Sequence, residues 1–403
     1  MRKKEIVKAT FQKYEGIFRL MPNFLPRNFA KPGHRLRLHP DDYFALGTAR
    51  GAIKERWFSS VVAALNGDLS PADEGLSYVA PTDNMDDKFL FKDACDELKA
   101  ELIGDELYKK YGTWPMFAKF FDYATPLFHH LHLRNEDAAL IGRLGKPEAY
   151  YFPWQYNNYP GEFPVTYFGF DSTVTKNEVR ERLLDFGARD TNITELSRAY
   201  RIALGTGWYT PPGVVHAPGS ILTYEPQWNS DVNSIFENVV SGEVYSKEYL
   251  TGNCPEDRKN DIDFIMNLMD WEKNVDPDYR KTYFRPPIIW DDVEGRYIEK
   301  WVCYGNPFVG AKELTVLPGQ TVTIKDKAAY GCVIIQGHGR FGAYADAEAA
   351  IMLRYGQLSG DEYFVSEYAA AKGVEISNNS RFEPLVILKH FGPNNPDMPM
   401  DAI

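Results

Sequence analysis

Phe128-His129-His130-Leu131-His132, Lys146-Pro147-Glu148 and Gly205-x5-Pro211-x-Gly213-x2-His216 are the stretches whose reading decides the fold of this chain. In a β-strand, side chains two residues apart point to the same face, so His130 and His132 can reach one ion together. Glu148 opens the apolar strand Ala149-Tyr150-Tyr151-Phe152 and brings a carboxylate. Pro211 fixes φ and Gly213 permits a positive one, so the third stretch reads as a tight turn closing on His216. Imidazole and carboxylate are suitable ligands for zinc, iron, manganese and related divalent ions. Taken singly, each stretch has a plainer reading: a histidine pair satisfied in a core, a turn before a strand, a proline–glycine turn. Their order and separation favour a metal quartet of His130, His132, Glu148 and His216. Glu136 is a rival carboxylate close behind the histidine pair. It sits in Arg134-Asn-Glu-Asp-Ala-Ala-Leu-Ile141, which reads as a short surface helix, so Glu148 is preferred.

Composition sets limits that agree with this. A chain of 403 residues can hold two or three domains or one large two-module unit. Its 44% hydrophobic content is ample for a core, and no apolar run approaches the length of a membrane span. A net charge of −11 argues against nucleic acid and anionic membranes as partners. Cys95, Cys254, Cys303 and Cys332 are far apart and form no Cys-x-x-Cys, which indicates neither a disulfide framework nor a zinc ribbon. Met1-Arg-Lys-Lys is basic, but no apolar segment follows it as a signal peptide requires. The expectation is a reduced, cytoplasmic enzyme, with a processed periplasmic form as the alternative.

Strand and helix signals divide the chain. Residues 1–110 mix short strands, loops and helices, with Asp93-Ala-Cys-Asp-Glu-Leu-Lys-Ala-Glu-Leu-Ile-Gly104 at helical spacing and a glycine stop. Residues 111–245 are strand-rich, and Phe163-Pro-Val-Thr-Tyr-Phe-Gly-Phe170 alternates between turn residues. One helix interrupts them, Lys176 to Phe186, ending at Gly187. Residues 246–285 read as helical; the apolar stripe of Ile262-Asp-Phe-Ile-Met-Asn-Leu-Met-Asp-Trp271 is a packing face. Residues 286–403 are strand-rich again, with Leu317-Pro-Gly-Gln320, Val333-Ile-Ile-Gln-Gly-His-Gly-Arg-Phe341 and Pro384-Leu-Val-Ile-Leu-Lys389. Short strands punctuated by Pro-Gly and Gly-x-Gly turns suit an antiparallel jelly-roll barrel.

The string closing on His216, with His-x-His upstream, resembles the two-part cupin signature. The implied fold is mainly β: a double cupin, two jelly-roll β-barrels, with an additional helical segment. The first 110 residues would pack on a metal-binding cupin at 111–245. A helical insertion at 246–285 would lead to a second, metal-free cupin at 286–403. In that block no histidine lies between Gln320 and Gln336 or between Ala369 and Gly373, where ligands would fall, and His338 and His390 do not fit the pattern.

A closer likeness runs through Trp114-Pro-Met-Phe-Ala-Lys119-Phe-Phe-Asp122-Tyr-Ala-Thr-Pro-Leu-Phe-His-His130-Leu-His132. It resembles the metal-binding region of type I phosphomannose isomerases, which carry an aromatic-Pro-x-x-x-Lys stretch, Gln-x-His-Pro, Lys-Pro-Glu and a later Pro-x-Gly-x-x-His. Glu55-Arg-Trp57-Phe-Ser-Ser60 is similar to the family's Glu-Ser-Trp-Glu-x-Ser block. The likeness covers about residues 50 to 240. It implies one divalent ion, zinc first, with iron, manganese, cobalt or nickel as other candidates, and a carbohydrate substrate. It also implies Lys119 and Glu225 beside the ion as catalytic residues. Such enzymes interconvert an aldose and a ketose through an enediolate whose negative oxygens need stabilising, and a base carries the proton between two carbons.

Three positions depart from that pattern. His130 replaces the glutamine ligand, and Leu133 replaces the proline. After Ser230-Asp231, Ile235 stands where the family has arginine, and isoleucine supplies neither donor nor charge. That counts against mannose 6-phosphate itself as the substrate. The leading expectation is a metal-dependent carbohydrate isomerase. A cupin oxygenase with three histidines and one glutamate on its metal and a non-catalytic sugar-binding cupin are the alternatives. A homodimer is compatible with each. The aromatic content of 14% allows rings to stack on sugar, with Trp154, Tyr156, Tyr159, Trp208, Tyr209 and Trp228 as candidates for the pocket wall.

Overall fold

Alternating burial marks a strand with one face in water, and the long strands of this protein mostly lack it. Ala52–Phe58, Met116–Phe121, Glu148–Tyr151 and Leu385–Phe391 are buried along their whole length. Strands buried on both faces belong to a sheet that is covered on both sides. The structure, a computed structural model, describes residues 2–157 and 164–400. It contains two such sheets of seven strands, and each has a smaller sheet on its outer face.

The first inner sheet runs, edge to edge, Phe284–Arg285, Gly207–Thr210, Glu148–Tyr151, Thr223–Trp228, Met116–Phe121, Ala52–Phe58 and Asn23–Arg27. Its outer companion has five strands: Ser197–Arg201, Val165–Phe170, His216–Ala217, His130–Leu131 and Ser234–Ile235. The second inner sheet runs from Ile17–Arg19 through Glu362–Val365, Tyr330–Gln336, Leu385–Phe391, Gly310–Val316 and Tyr297–Cys303 to Ile288–Val293. A four-stranded sheet built on Thr321–Ile324, Val374–Asn378, His338–Phe341 and Tyr344–Glu348 covers it. The paired strands of all four sheets are antiparallel.

Three apolar clusters join these layers. Phe121, Tyr150 and Trp208 meet Phe168 and Phe170 between the sheets of the first unit. Leu314, Ile334 and Phe391 meet Val322, Phe341 and Ile376 in the second. Phe58, Phe120 and Tyr224 meet Cys303, Val333 and Leu388 where the two inner sheets pack together. The stack is therefore five, seven, seven and four strands, with the central strands of the inner pair buried and the edge strand Ile288–Val293 largely exposed. The N-terminal residues serve both units: Ile17–Arg19 edges the second inner sheet and Asn23–Arg27 edges the first.

Helices lie around the stack. The helix read over 93–104 is divided into Phe91–Leu98 and Ala100–Ile103 by Lys99, whose φ is 54°. Lys176–Leu184 starts at a capping box made by Thr175 and Glu178, ending before the glycine that marks it in the sequence. The 246–285 segment forms four short α-helices and one 3-10 turn. Asp261 and Asp270 cap Ile262–Asn267 and Trp271–Asn274, and the stripe residues Ile265, Met266, Leu268 and Met269 join the first unit's core. The strand expected from Phe163 begins at Val165, and Phe163 lies outside the described residues. All four cysteines are buried and free. Among the described residues, no helix is long and apolar enough to cross a membrane.

The second unit buries a ring of charge between its sheets. Lys312 lies 3.0 Å from Glu299 and 2.7 Å from Asp326, and Lys389 pairs with both carboxylates as well. Two cations and two anions neutralise one another there, which is how buried charge is tolerated.

The contact between inner sheets yields two tests. A Cβ on Gly331 would sit 2.1 Å from Nε2 of His390 and 2.2 Å from Oγ of Ser59, both fully buried. Gly331→Ala should therefore cost about 1–3 kcal/mol in urea unfolding, the usual penalty for overpacking. His390 accepts or shares a 2.8 Å hydrogen bond with the Tyr224 hydroxyl, and burial pushes its pKa down to about 3 from an ordinary 6.5. Between those values the unfolded chain takes up a proton that the folded protein does not. Stability should thus fall as pH falls through that window, by about 1.4 kcal/mol per pH unit from this group. Comparing unfolding of the wild type and His390→Gln from neutral to acid pH should show a shallower fall in the variant.

Candidate metal centre

The outer sheet of the first unit brings the three histidines together by register. His216 is paired with His130, and Ile235 flanks His130 on the other side. His132 follows at the end of the same short strand. Glu148 projects towards them from the inner sheet, at the start of the apolar strand on which the sequence placed it. Ligand atoms of the three imidazoles lie within 4.8 Å of one another, all buried. Nε2 of His132 is 3.0 Å from one Glu148 oxygen, and Nε2 of His216 is 3.2 Å from the other.

Each ring is oriented through its far nitrogen. Nδ1 of His130 is 3.0 Å from the Phe128 carbonyl, that of His216 is 2.9 Å from Val214, and that of His132 is 2.8 Å from Val232. A carbonyl oxygen only accepts, so Nδ1 carries the hydrogen and the lone pair of Nε2 points inward. Such supporting hydrogen bonds are what orient metal-binding imidazoles. Burial lowers the pKa of His132 to about 4, and burial with the neighbouring imidazoles holds His130 well below its ordinary value. Burial pushes Glu148 the opposite way, but His132 and Lys146 outweigh it and keep the carboxyl ionised. Neutral imidazoles and an ionised carboxylate are the states that metal ligation requires. Neither Glu148 oxygen nor Nε2 of His216 has an aligned hydrogen bond, so buried donor atoms converge with capacity to spare. The residues present therefore fit a divalent ion. Among the described residues this is the one meeting of three or more His, Cys, Asp or Glu side chains close enough to hold one.

A chain of charge leads away from the quartet. Lys146 Nζ is 2.8 Å from Glu148 and 3.2 Å from Glu225, and Lys119 Nζ is 3.3 Å from Glu225. Lys119 and Glu225 face each other because their strands pair them directly. Beyond them Glu55 accepts from Arg27 at 3.0 Å, from the Trp57 indole at 2.8 Å and from the Tyr123 hydroxyl at 2.9 Å. Arg27 also pairs with Asp231 at 3.0 Å. Burial pushes Glu225 up, helped by the negative Glu148, against the pull of the two lysines. Lys146, Glu225, Lys119, Glu55, Arg27 and Asp231 line one cavity of about 290 Å³ that reaches from His130 and His132 to a rim including Asn28, Leu65 and Tyr249.

Lys119 and Glu225 are both buried and both line this cavity. Glu136 is exposed on the helix Asn135–Ala139 and pairs with Arg134. The aromatic wall needs correction. Trp154 and Tyr156 line a different cavity, and Trp208 and Tyr209 are packed into the structure. Trp228 packs against Phe308, and Tyr159 lies outside the described residues. Phe29, Phe121, Tyr123, Phe128, Tyr150 and Tyr249 line the cavity instead, because tertiary placement and not nearness in sequence to the ligand motifs decides which rings face it. Lys146, Arg27, Glu55 and Asp231 received no role from the sequence. Lys146 was legible only as part of a turn, although it precedes a ligand by two residues. Arg27 lies far from every motif and had no signal.

No family model and no curated protein matches this sequence. Solved structures do match it. Mannose 6-phosphate isomerase from Bacillus subtilis is 15% identical, with a TM-score of 0.60 over 93% of this chain and 98% of that one. A variant of phosphomannose isomerase from Salmonella typhimurium is 11% identical, with a TM-score of 0.62 over 94% of this chain and all of that one (100%). A mannose 6-phosphate isomerase bound with zinc and yttrium is also 11% identical, with a TM-score of 0.60 over 94% of this chain and 100% of the other. The chain has the phosphomannose isomerase fold. The likeness runs through both two-sheet units, well beyond the residues on which the sequence resemblance rested.

Within that phosphomannose isomerase fold, the quartet makes a direct prediction. His132→Ala and His216→Ala should weaken divalent-metal binding by more than the roughly 10–100-fold that losing a supporting hydrogen bond costs. Elemental analysis after dialysis should find wild-type protein loaded and both variants depleted, with far-UV circular dichroism retained. Stoichiometric metal in both variants would remove the quartet as the site.

Proposed function

We propose that this protein is a metal-dependent aldose–ketose isomerase acting on a carbohydrate, built as a double cupin whose first barrel holds the ion and whose second holds none. His130, His132, Glu148 and His216 are the ligands in this reading. Zinc is the first choice for a set of three nitrogens and one oxygen. When bound, a divalent ion would polarise the sugar oxygens and stabilise negative charge developing as the C2 proton leaves.

The single observation that carries the reading is the placement of Glu225. Its carboxylate is buried beside the quartet and held between Lys119 and Lys146. Isomerisation moves a proton from C2 to C1 and another from the C2 hydroxyl to the C1 oxygen, with no net gain or loss. A carboxyl whose affinity for protons is raised by burial suits the first transfer, since it must both take the proton and return it. Lys119 and Lys146 hold that carboxyl in place and can donate hydrogen bonds to sugar oxygens. A cupin oxygenase would need the ligand set but has no use for this acid–base chain, and a binding protein would need neither.

Glu225→Gln keeps the shape and removes the base. Metal content should stay near wild type, while deuterium entry at C2 of an aldose, followed by NMR in D2O, should fall by about 10²–10⁴-fold. Exchange at the wild-type rate in this variant would contradict the role of Glu225. Failure of the metal-loaded wild type to exchange any aldose would contradict the isomerase reading.

A further inference from the structure

Resting on the isomerase reading, we infer that the substrate of this cavity is a neutral, unphosphorylated sugar. Among the described residues lining the cavity, the cations are Arg27, Lys119 and Lys146, and they face four carboxylates: Glu55, Glu148, Glu225 and Asp231. None of the three has charge to spare. Lys119 and Lys146 are bound to Glu225, and Lys146 also to Glu148.

Arg27 is the cation farthest along the chain from the quartet, and both nitrogens of its terminal fork are engaged, leaving only the buried Nε–H without a partner. One terminal nitrogen donates to Glu55 and Asp231, both at 3.0 Å. The other donates to Asn66 at 2.9 Å and Asp231 at 3.2 Å. Asp231 is fixed in turn by the backbone N–H of Leu65 at 2.9 Å. The guanidinium fork that would clamp a phosphate is closed on two carboxylates.

The remaining wall offers no replacement. Asn28 and Asn233 bring neutral amides, Tyr249 a ring and a hydroxyl, and Ile235, Leu65 and Phe29 apolar surface. Neutral hydrogen-bonding groups with aromatic faces suit hydroxyls and C–H faces of a sugar. A phosphate dianion entering here would approach Asp231 and Glu55 without a partner, and like charges brought together in a low-dielectric cleft repel strongly. The volume of about 290 Å³ lies at the small end for ligand pockets and suits one monosaccharide.

The test compares binding and turnover for free mannose, glucose and fructose against their 6-phosphates, using metal-loaded protein. Calorimetry should show a free sugar binding about tenfold or more tighter than its phosphate, the size expected for an uncompensated charge contact. The free sugar should also be the one that exchanges at C2. Asp231→Asn, which releases part of the Arg27 fork, should narrow the gap by improving binding of the phosphate. Binding reads the charge class even where no sugar exchanges, so failure of the isomerase reading stays separate from failure of this one. Tighter or equal binding of a 6-phosphate, or binding of neither form, would overturn the inference.

Discussion

Burying a carboxylate inside a sheet sandwich is costly unless a cation meets it, and the first unit of this protein buries several around one cavity. That constraint organises the site. Glu55 is tied to Arg27, Glu225 to two lysines, and Glu148 to Lys146 and the histidine rings. Burial holds the pKa values of His130 and His132 below the ordinary imidazole value. Four carboxyl groups meet three cations beside converging nitrogen donors, an arrangement that suits a divalent cation.

The second unit meets the same constraint differently. Glu299, Asp326, Lys312 and Lys389 occupy its interior between inner and outer sheets and close upon one another. Equal numbers of cations and anions leave nothing for an ion to compensate. One architecture thus carries an interior open to chemistry and another whose charges are spent on each other. The contact between the inner sheets, with Tyr224, His390 and Gly331 at close quarters, joins the two.

Much of this was legible in the sequence for identifiable reasons. The meeting of His130, His132, Glu148 and His216 could be read because strand periodicity and turn chemistry constrain the histidines locally, and Glu148 begins an apolar run. The β-rich halves could be read from their turn spacing. Other features depend on partners distant in sequence. Arg27 matters because the strand Asn23–Arg27 edges the first inner sheet and carries it to Glu55 and Asp231. The wall aromatics were misassigned because the rings that reach the cavity come from elements far apart in sequence, from the loop at Phe29 to the helix carrying Tyr249. The break at Lys99 and the division of the 246–285 segment reflect tertiary packing overriding a helical period. Ile235, paired with His130, puts an apolar side chain on the cavity wall.

The central claim is a single ion held by three imidazoles and one carboxylate. X-ray absorption at the metal edge of stoichiometrically loaded protein tests it most directly. The account predicts nitrogen and oxygen neighbours at about 2.0–2.2 Å, with the outer-ring scattering of three histidines. Sulfur among the neighbours, or scattering from fewer than two imidazoles, would contradict it.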